Sequence, residues 1–264
     1  QAGHLDELGW DGPQREKLWR YNQHYFDDLN AQQAAERLAW HVALVSDWVA
    51  HNSPGQGNGW EPYPLSLRVV NWVKWALGGA VLLPAAHHSL AVQVRWLTGR
   101  LEHHLLGNHL FANAKALVMA GLFFEGLEAD AWLALGLRLL AREVPEQVLH
   151  DGGHFERSTM YHALALEDLL DLVNATQCLA SRLSPAQRKQ VADWPQRARS
   201  LHAWLQAMCH PDGEISLFND AAFDIAPSVA ELDAYAHRVL GDMPSPAPSP
   251  WVHLRDSGYV RLAH

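Results

Sequence analysis

Residues 107–113, Gly-Asn-His-Leu-Phe-Ala-Asn, and residues 151–162, Asp-Gly-Gly-His-Phe-Glu-Arg-Ser-Thr-Met-Tyr-His, decide how this chain is interpreted. Each stretch lies where one helical run ends and the next begins. Together they contain six polar side chains that are poorly suited to a hydrophobic core: Asn108, His109, His154, Glu156, Tyr161 and His162. Such a concentration at helix starts indicates a functional site.

Helical periodicity dominates the chain from about residue 30 to about residue 240. Leu90, Val94, Leu97, Leu101 and Leu105 are spaced by three or four residues, as on one face of a helix. Other helical runs are predicted over residues 31–51, 65–83, 114–126, 129–142, 159–182, 185–209 and 228–240. Helices that recur without strands between them indicate antiparallel helical hairpins. A bundle, a solenoid and a closed α/α toroid all satisfy this pattern.

Proline residues punctuate this pattern. Pro84 is expected to end one helix, and Ser184 followed by Pro185 is expected to open another. Residues 244–250, Pro-Ser-Pro-Ala-Pro-Ser-Pro, predict a semi-rigid linker at a domain boundary. Residues 251–264 then alternate as strands do. Because an exposed strand edge is an aggregation hazard, we expect this segment to pair with another chain or to fold back on the helices.

Composition limits the class of protein. A chain of 264 residues with 48% apolar content can form one large domain or two ordinary ones. Its formal net charge of −9 argues against a general nucleic-acid binder, which needs a basic surface. No stretch approaches the ~20 apolar residues of a membrane span. Cys178 and Cys209 fall in apolar helical runs, which favours two buried free thiols over a disulfide.

Five more blocks accompany the two stretches in a fixed order along the chain: residues 19–26, 60–72, 211–215, 217–220 and 256–259. Together they resemble the heparinase II/III-like polysaccharide lyases of bacteria. The resemblance implies an all-α incomplete α/α toroid of antiparallel helical hairpins, followed by an antiparallel β-sandwich. Residues 1–243 would then be the toroid lyase domain, residues 244–250 the linker, and residues 251–264 the truncated start of the sandwich. It also implies a periplasmic or secreted protein.

The reaction that the resemblance implies is β-elimination at a uronic acid of an anionic polysaccharide, without a cofactor. A base removes the C5 proton and the oxygen at C4 leaves, so negative charge develops next to a carboxylate. Asn108 matches the family's Asn, whose amide donates hydrogen bonds to that carboxylate. Tyr161 matches the family's Tyr, which acts as the base if His162, His154 or Arg157 lowers its pKa. The family also uses a His from the sandwich, and we expect that segment to lie outside residues 1–264.

Eight further residues are expected to bind substrate: Asn22, Trp60, Tyr63, Arg68, His109, His154, Glu156 and His162. Trp60 and Tyr63 follow a Gly-rich loop, where an aromatic ring can stack on a sugar. Arg68 and Arg157 are expected to make the cleft positive in spite of the chain's negative charge. A metal site is not expected, because the chain has neither His-Glu-x-x-His nor Cys-x-x-Cys.

Other interpretations of these residues stay open. Asn108 is suited to cap the helix that begins at His109, and Asn113 is the fallback for the catalytic Asn. Tyr161 taken alone is typical of a core aromatic residue. An inverting glycoside hydrolase on an α/α toroid would use Glu156 with Asp212 or Asp220, separated by roughly 6.5–9.5 Å. A third possibility is a glycan-binding fragment without catalytic activity.

Overall fold

The computed structural model describes residues 9–105, 107–243 and 250–262. The chain divides into two compact units, Gln1–Gly136 and Leu137–His264. The predicted Pro-rich linker, apart from Pro250, lies outside the described residues. Among the described helices, none is long and apolar enough to cross a membrane.

Helices predominate among the described residues, and the two strands described lie near the C-terminus, as predicted. The helices of the first unit are α1 (Lys17–Asn22), α2 (Leu38–His51), α3 (Pro62–Leu77), α4 (Pro84–Thr98) and α5 (Asn108–Phe123), and α6 (Leu127–Gln147) spans the boundary. The second unit has α7 (Thr159–Cys178), α8 (Pro185–Gln190), α9 (Trp194–Met208), α10 (Val229–Leu240), β1 (Trp251–Leu254) and β2 (Tyr259–Leu262). Short 3₁₀ turns cover Asp27–Asn30, Ala34–Arg37, Asn58–Trp60 and Ala180–Arg182.

Helices α5 and α6 form an antiparallel hairpin whose axes approach closely at two glycines. A Cβ on Gly121 would lie 2.6 Å from the backbone nitrogen of Leu133, and one on Gly136 would lie 2.8 Å from the carbonyl oxygen of Ala114. The later glycine thus faces the earlier part of α5, which is the antiparallel arrangement. Only glycine leaves room for backbones this close.

Helix α5 lies in the centre of the first unit. Every residue from Leu110 to Leu122 is buried, including the polar Asn113 and Lys115. Its first half packs along the start of α3, because Asn113 reaches Ser66 of that helix. Burial of the rest of α5 fixes its first turn, which carries Asn108 and His109.

The second unit is built on α7, α9 and α10. The Nε2 atom of His162 on α7 contacts the carbonyl oxygen of Leu201 on α9 at 2.8 Å. On the other side of α9, Arg199 donates to the carbonyl of Leu240, and His202 contacts Asp233 at 2.8 Å. The later residue of α9 meets the earlier residue of α10, so these two helices are antiparallel.

The C-terminal strands pair with each other and pack on a helix. They are antiparallel, with Trp251 opposite Leu262 and Leu254 opposite Tyr259. Leu254 is buried against Trp204 and Met208 of α9. The expectation that this segment folds back on the helices is therefore confirmed, whereas its role as the start of a sandwich stays a prediction.

Several predicted boundaries were wrong. The leucine spacing predicts one helix through Leu105, but α4 ends at Thr98 with Gly99 as its C-cap. Pro84 begins α4 and does not end a helix, because its missing N–H is not needed in a first turn. The run 185–209 is interrupted between α8 and α9. Both cysteines are free, but Cys178 is exposed and only Cys209 is buried.

Candidate active site

Asn108 is the first residue of α5, and its side chain points to a tyrosine. The N-cap of this helix is Gly107, with φ 89° and ψ −146°, so the expectation that Asn108 caps the helix was wrong. The amide Nδ2 of Asn108 donates to the hydroxyl of Tyr63 at 3.2 Å. The side chain is half-buried at the N-terminus of a long helix, where backbone dipoles favour an anion.

Tyr63 connects Asn108 with His109. It is the second residue of α3, and its ring lies 4.4 Å from the ring of His109 at an interplanar angle of 32°. The ring of Tyr25 meets Tyr63 edge-on at 6.2 Å. Tyr63 is half-buried, so it presents part of its surface beside Asn108. The predicted residues Asn108, His109 and Tyr63 are thus brought together.

His109 and Asn113 share a carboxylate that the sequence did not single out. Glu102 lies in the loop between α4 and α5. One of its oxygens is 3.0 Å from His109 Nδ1, and the other accepts from Asn113 Nδ2 at 3.1 Å. Asn113 is fully buried, so it is not the substitute for Asn108 that we considered. The Asn108 cluster is the name used below for Asn108, Tyr63, His109, Glu102 and Asn113.

Arg68 was expected to bind substrate, and its burial corrects this interpretation. The side chain is 0% exposed and lies over the ring of Trp48 at 3.9 Å. Its nitrogens donate to Gln93 Oε1 and to the carbonyls of His24 and Gly59. Burial holds the pKa of the guanidinium well below its usual range. Arg68 therefore anchors the 3₁₀ turn Asn58–Trp60 and contributes no positive surface.

Trp60 and Asn22 also have partners within the protein. Trp60 is only 3% exposed and packs between Trp48 and Trp96, with both ring distances 5.9 Å. It belongs to the core, which corrects the expectation that its face stacks on a sugar. Asn22 is exposed, but its Nδ2 donates to the carbonyl of Leu18 at 2.7 Å and so closes the end of α1.

Tyr161 lies in the first turn of α7, in the second unit. Ser158 is the N-cap of this helix and accepts a hydrogen bond from the backbone N–H of Tyr161. Burial raises the pKa of the Tyr161 phenol, and the nearby carboxylates of Asp220 and Glu156 raise it further. We expected neighbouring groups to lower this pKa, which was wrong. The phenol is protonated at neutral pH.

His154 and His162 are buried and neutral, so they do not supply the positive field we expected. Burial lowers the pKa of His154 to about 3 and that of His162 to about 4. His162 Nδ1 accepts from the backbone N–H of His154 at 3.1 Å, and its ring stacks on Trp204 at 4.3 Å. Both residues support the turn before α7. Buried side chains do not contact a polysaccharide, so their assignment as binding residues is also corrected.

Arg157, Asn219 and Tyr259 form a polar group in the second unit. Arg157 adopts a left-handed backbone conformation with φ 59°, which is uncommon for a residue with a side chain. Its carbonyl accepts from the Tyr259 hydroxyl at 2.8 Å and from Asn219 Nδ2 at 3.1 Å. With Tyr161 and the half-buried Glu156, these residues are called the Tyr161 cluster. The blocks 217–220 and 256–259 were the sequence signal for Asn219 and Tyr259, but neither residue had been given a role.

Asp151 ties the C-terminal hairpin to the turn before α7. One carboxylate oxygen accepts from the backbone N–H and the hydroxyl of Ser257 at 2.7 and 2.8 Å. The other accepts from the backbone N–H of Gly153 at 3.0 Å. Burial by itself would raise the pKa of Asp151, but these hydrogen bonds outweigh it and the pKa is lowered. The hairpin is therefore held beside the Tyr161 cluster.

The two clusters belong to different units of the chain. That Asn108 and Tyr161 face one cleft is accordingly a prediction. Within the described ranges, no group of three or more His, Cys, Asp or Glu side chains is arranged to hold a metal ion.

Comparison with known proteins identifies the family. Residues 81–237, more than half of the chain, match the family model described as Heparinase II/III N-terminus, and the chain belongs to this family. A heparin-sulfate lyase of Bacteroides stercoris is 41% identical over 69 residues, which are 26% of this chain and 10% of that protein. A heparin-sulfate lyase of Bacteroides thetaiotaomicron is 29% identical over 123 residues, which are 44% of this chain and 17% of that protein. The match thus covers less than a fifth of either relative.

Solved structures share the fold. The heparan sulfate lyase HepC from Pedobacter heparinus has a TM-score of 0.59 at 18% identity, covering 95% of this chain and 43% of that one. Heparinase III has a TM-score of 0.54 at 19% identity, covering 80% of this chain and 33% of that one. The predicted fold class, an incomplete α/α toroid of helical hairpins, is confirmed by this similarity.

Proposed function

We propose that the protein is a polysaccharide lyase that cleaves a uronic-acid-containing polysaccharide by β-elimination. The proposal rests on the Asn108 cluster, which occurs here in a chain that belongs to the heparinase II/III family. It presents a neutral amide donor at the N-terminus of a long helix, with His109 and Tyr63 beside it. The curated relatives are heparin-sulfate lyases, which favours a heparin-like or heparan-like polymer over an alginate-like or other bacterial exopolysaccharide.

In the proposed reaction, Asn108 stabilises the charge that develops on the substrate. Removal of the C5 proton spreads negative charge onto the uronate carboxylate. The Asn108 amide has no proton to lose near neutral pH, so it can donate to that carboxylate throughout the step. The N-terminal dipole of α5 acts in the same direction. Tyr63 fixes the orientation of the amide before substrate arrives.

Tyr161 supplies a proton to the leaving oxygen. Its raised pKa keeps the phenol protonated in the resting protein, which suits a general acid better than a base. The C4–O bond breaks, the oxygen takes the Tyr161 proton, and a C4=C5 double bond forms. A separate base must then accept the C5 proton, and we assign this step to the His that the family also uses from its sandwich. The mechanism requires Asn108 and Tyr161 to act on the same uronate residue.

Product chemistry tests this proposal against hydrolysis. Elimination forms a double bond conjugated to the carboxylate, which absorbs ultraviolet light, whereas hydrolysis forms only reducing ends. The full-length natural protein is incubated with heparan sulfate, heparin and alginate, and both signals are followed. We expect absorbance and reducing ends to rise together on one of these polymers. Reducing ends without absorbance would contradict elimination and would favour a hydrolase that uses Glu156 with Asp212 or Asp220.

A lyase that degrades an extracellular anionic polymer must meet it outside the cytoplasm. We therefore propose a periplasmic or secreted location. Fractionation of cells that produce the natural protein, followed by immunodetection, tests this. Recovery only with cytoplasmic markers would contradict it.

A further inference from the structure

Glu102 presents both oxygens of its carboxylate to donors of the Asn108 cluster. It lies in the loop before α5 and is only 8% exposed. Its two oxygens face two different donors, His109 Nδ1 and Asn113 Nδ2. A carboxylate accepts on both oxygens, whereas the amide of Gln accepts on one atom and donates on the other. Two converging donors therefore select a carboxylate here.

Glu102 and Asn113 each donate a hydrogen bond to the other. The backbone N–H of Glu102 donates to Asn113 Oδ1 at 2.9 Å, while Asn113 Nδ2 returns a hydrogen bond to the Glu102 side chain. Asn113 Nδ2 also donates to Ser66 Oγ at 3.0 Å, and Ser66 Oγ donates to the carbonyl of Pro62. Asn113 and Ser66 are each 0% exposed. The loop is thus held on α5, and Asn113 joins it indirectly to α3, so the carboxylate has little freedom to move.

This arrangement determines which nitrogen of His109 is exposed. Hydrogen bonding to an anionic acceptor keeps the proton on Nδ1, so Nε2 is the nitrogen directed away from Glu102. The His109 side chain is 32% exposed, so a ligand can reach it. The Tyr63 ring packs against the imidazole and fixes its plane. Tyr63 also accepts from Asn108, so the orientations of Asn108 and His109 are coupled.

We propose that Glu102 is a positioning residue of this site, which holds Nδ1 of His109 so that Nε2 is offered to the uronate beside the Asn108 amide. This inference rests on the proposed function, since it names a further residue of the same site. Glu102 does not itself contact substrate. It acts through His109, and the Asn113–Ser66 contacts keep it in place.

The tautomer of His109 provides a test that needs no catalysis. Nitrogen-15 spectra of the imidazoles in the unmodified chain are recorded at about pH 8, with the His109 signals assigned by their loss in His109→Gln. We expect Nδ1 to be protonated. An unprotonated Nδ1 would overturn the proposal without any variant of Glu102. In Glu102→Gln we expect the proton to redistribute to Nε2 in part of the population.

Kinetics and binding give the functional test. Glu102→Gln should lower kcat/KM about 10- to 100-fold, through a higher KM as well as a lower kcat, because hydrogen bonds to charged groups are worth about 1.5–3 kcal/mol. Asp28→Asn is the matched control, since Asp28 contacts Nε2 of His41 at 2.8 Å in the same unit, and His41 is not a member of the Asn108 cluster. It should change neither the His109 spectrum nor the rate. Unchanged turnover in Glu102→Gln with an altered tautomer would overturn the positioning role.

Failure of the proposed reaction is distinguishable from failure of this inference. If the protein forms no unsaturated product, binding of a heparan-derived oligosaccharide is measured by calorimetry. Weaker binding by Glu102→Gln, with an altered His109 tautomer and an unchanged thermal midpoint, would support the positioning role even though elimination had failed. Equal binding would overturn it.

Discussion

The Tyr161 hydroxyl is the atom on which the proposed proton transfer depends. Tyr161→Phe keeps the ring and removes only this group, so turnover should fall by about 10²–10⁴-fold while substrate binding is largely retained. Tyr235→Phe is the matched control, because its hydroxyl donates to Asp171 near the opposite end of α7. Initial rates of ultraviolet absorbance measure both variants. Full activity of Tyr161→Phe on a polymer that the unmodified protein cleaves would contradict the assignment.

A second prediction for a single residue concerns the amide of Asn108. Asn108→Ala should lower kcat by about 10²–10³-fold, as loss of an oxyanion-hole donor does. Asn108→Asp should be at least as severe, because a carboxylate repels the developing enolate at nearly the same volume. Asn30→Ala removes an exposed amide that bonds Asn71 and should leave the rate unchanged. Equal rates for Asn108→Ala and the unmodified protein would rule out the donor role.

The sequence predicted where a residue lies when helix starts determine its position. It did not predict the position of a residue that depends on contacts between distant parts of the chain. Asn108 and Tyr161 could be placed in first helical turns because breakers and periodicity mark helix starts. Glu102 could not be found, because it is recognised only once the loop brings its carboxylate to His109 and Asn113. Arg68 was misplaced because an arginine is usually exposed, and its burial depends on an acceptor from α4 and carbonyls from two turns.

The close approach of α5 and α6 gives a prediction about stability. Alanine has a helix propensity about 1 kcal/mol better than glycine. In Gly121→Ala, however, the new Cβ would lie 2.6 Å from a backbone atom of Leu133, and backbone atoms cannot move aside cheaply. We expect a net loss of about 1–3 kcal/mol in the free energy of unfolding.

Urea denaturation followed by tryptophan fluorescence measures this loss. Gly99→Ala is the control, since its nearest neighbour would be 3.9 Å from the new Cβ and its backbone φ is −91°. It should change stability by less than about 0.5 kcal/mol. A stabilised Gly121→Ala protein would show that the two helices can separate freely.

At the level of elements, the existence of helices was predictable and their ends were less so. Leu101 and Leu105 continue the spacing of α4 beyond Thr98, so periodicity alone could not reveal the end at Gly99. The interruption between α8 and α9 likewise falls within one predicted helical run. Hydrophobic spacing alone therefore does not show which residues face inward, since Leu105 continues the spacing and is exposed.

For the molecule as a whole, buried neutral histidines predict loss of stability in mild acid. Burial lowers the pKa of His24 and His154 to about 3 and that of His162 to about 4, and the positive charge of Arg68 adds to the effect at His24. In the unfolded chain these groups have an ordinary pKa near ~6.5. Below that pH the unfolded state binds protons that the folded state does not. The free energy of unfolding therefore falls as the pH decreases from about 6.5 towards 4.

We expect the free energy of unfolding to change by at most about 1.4 kcal/mol per pH unit for each histidine. Carboxylates whose pKa is lowered, such as Asp151, also contribute to the free energy of unfolding. They lose this contribution only when the pH approaches their unfolded pKa of ~3.9. Urea midpoints at about pH 7.5, 6 and 5 therefore report mainly on the histidines. Because His24 lies in one unit and His154 and His162 in the other, both units should weaken.

His154→Gln separates this effect from a general loss of packing. The variant loses a ring whose Nε2 lies 3.4 Å from Gln147 Oε1, so its absolute stability is expected to fall at every pH. Below pH ~6.5 its free energy of unfolding should nevertheless change less steeply with pH, by the contribution of one proton, because Gln does not titrate. The comparison uses slopes, so the lost contacts cancel. A slope identical to that of the unmodified protein would show that His154 is already protonated in the folded state.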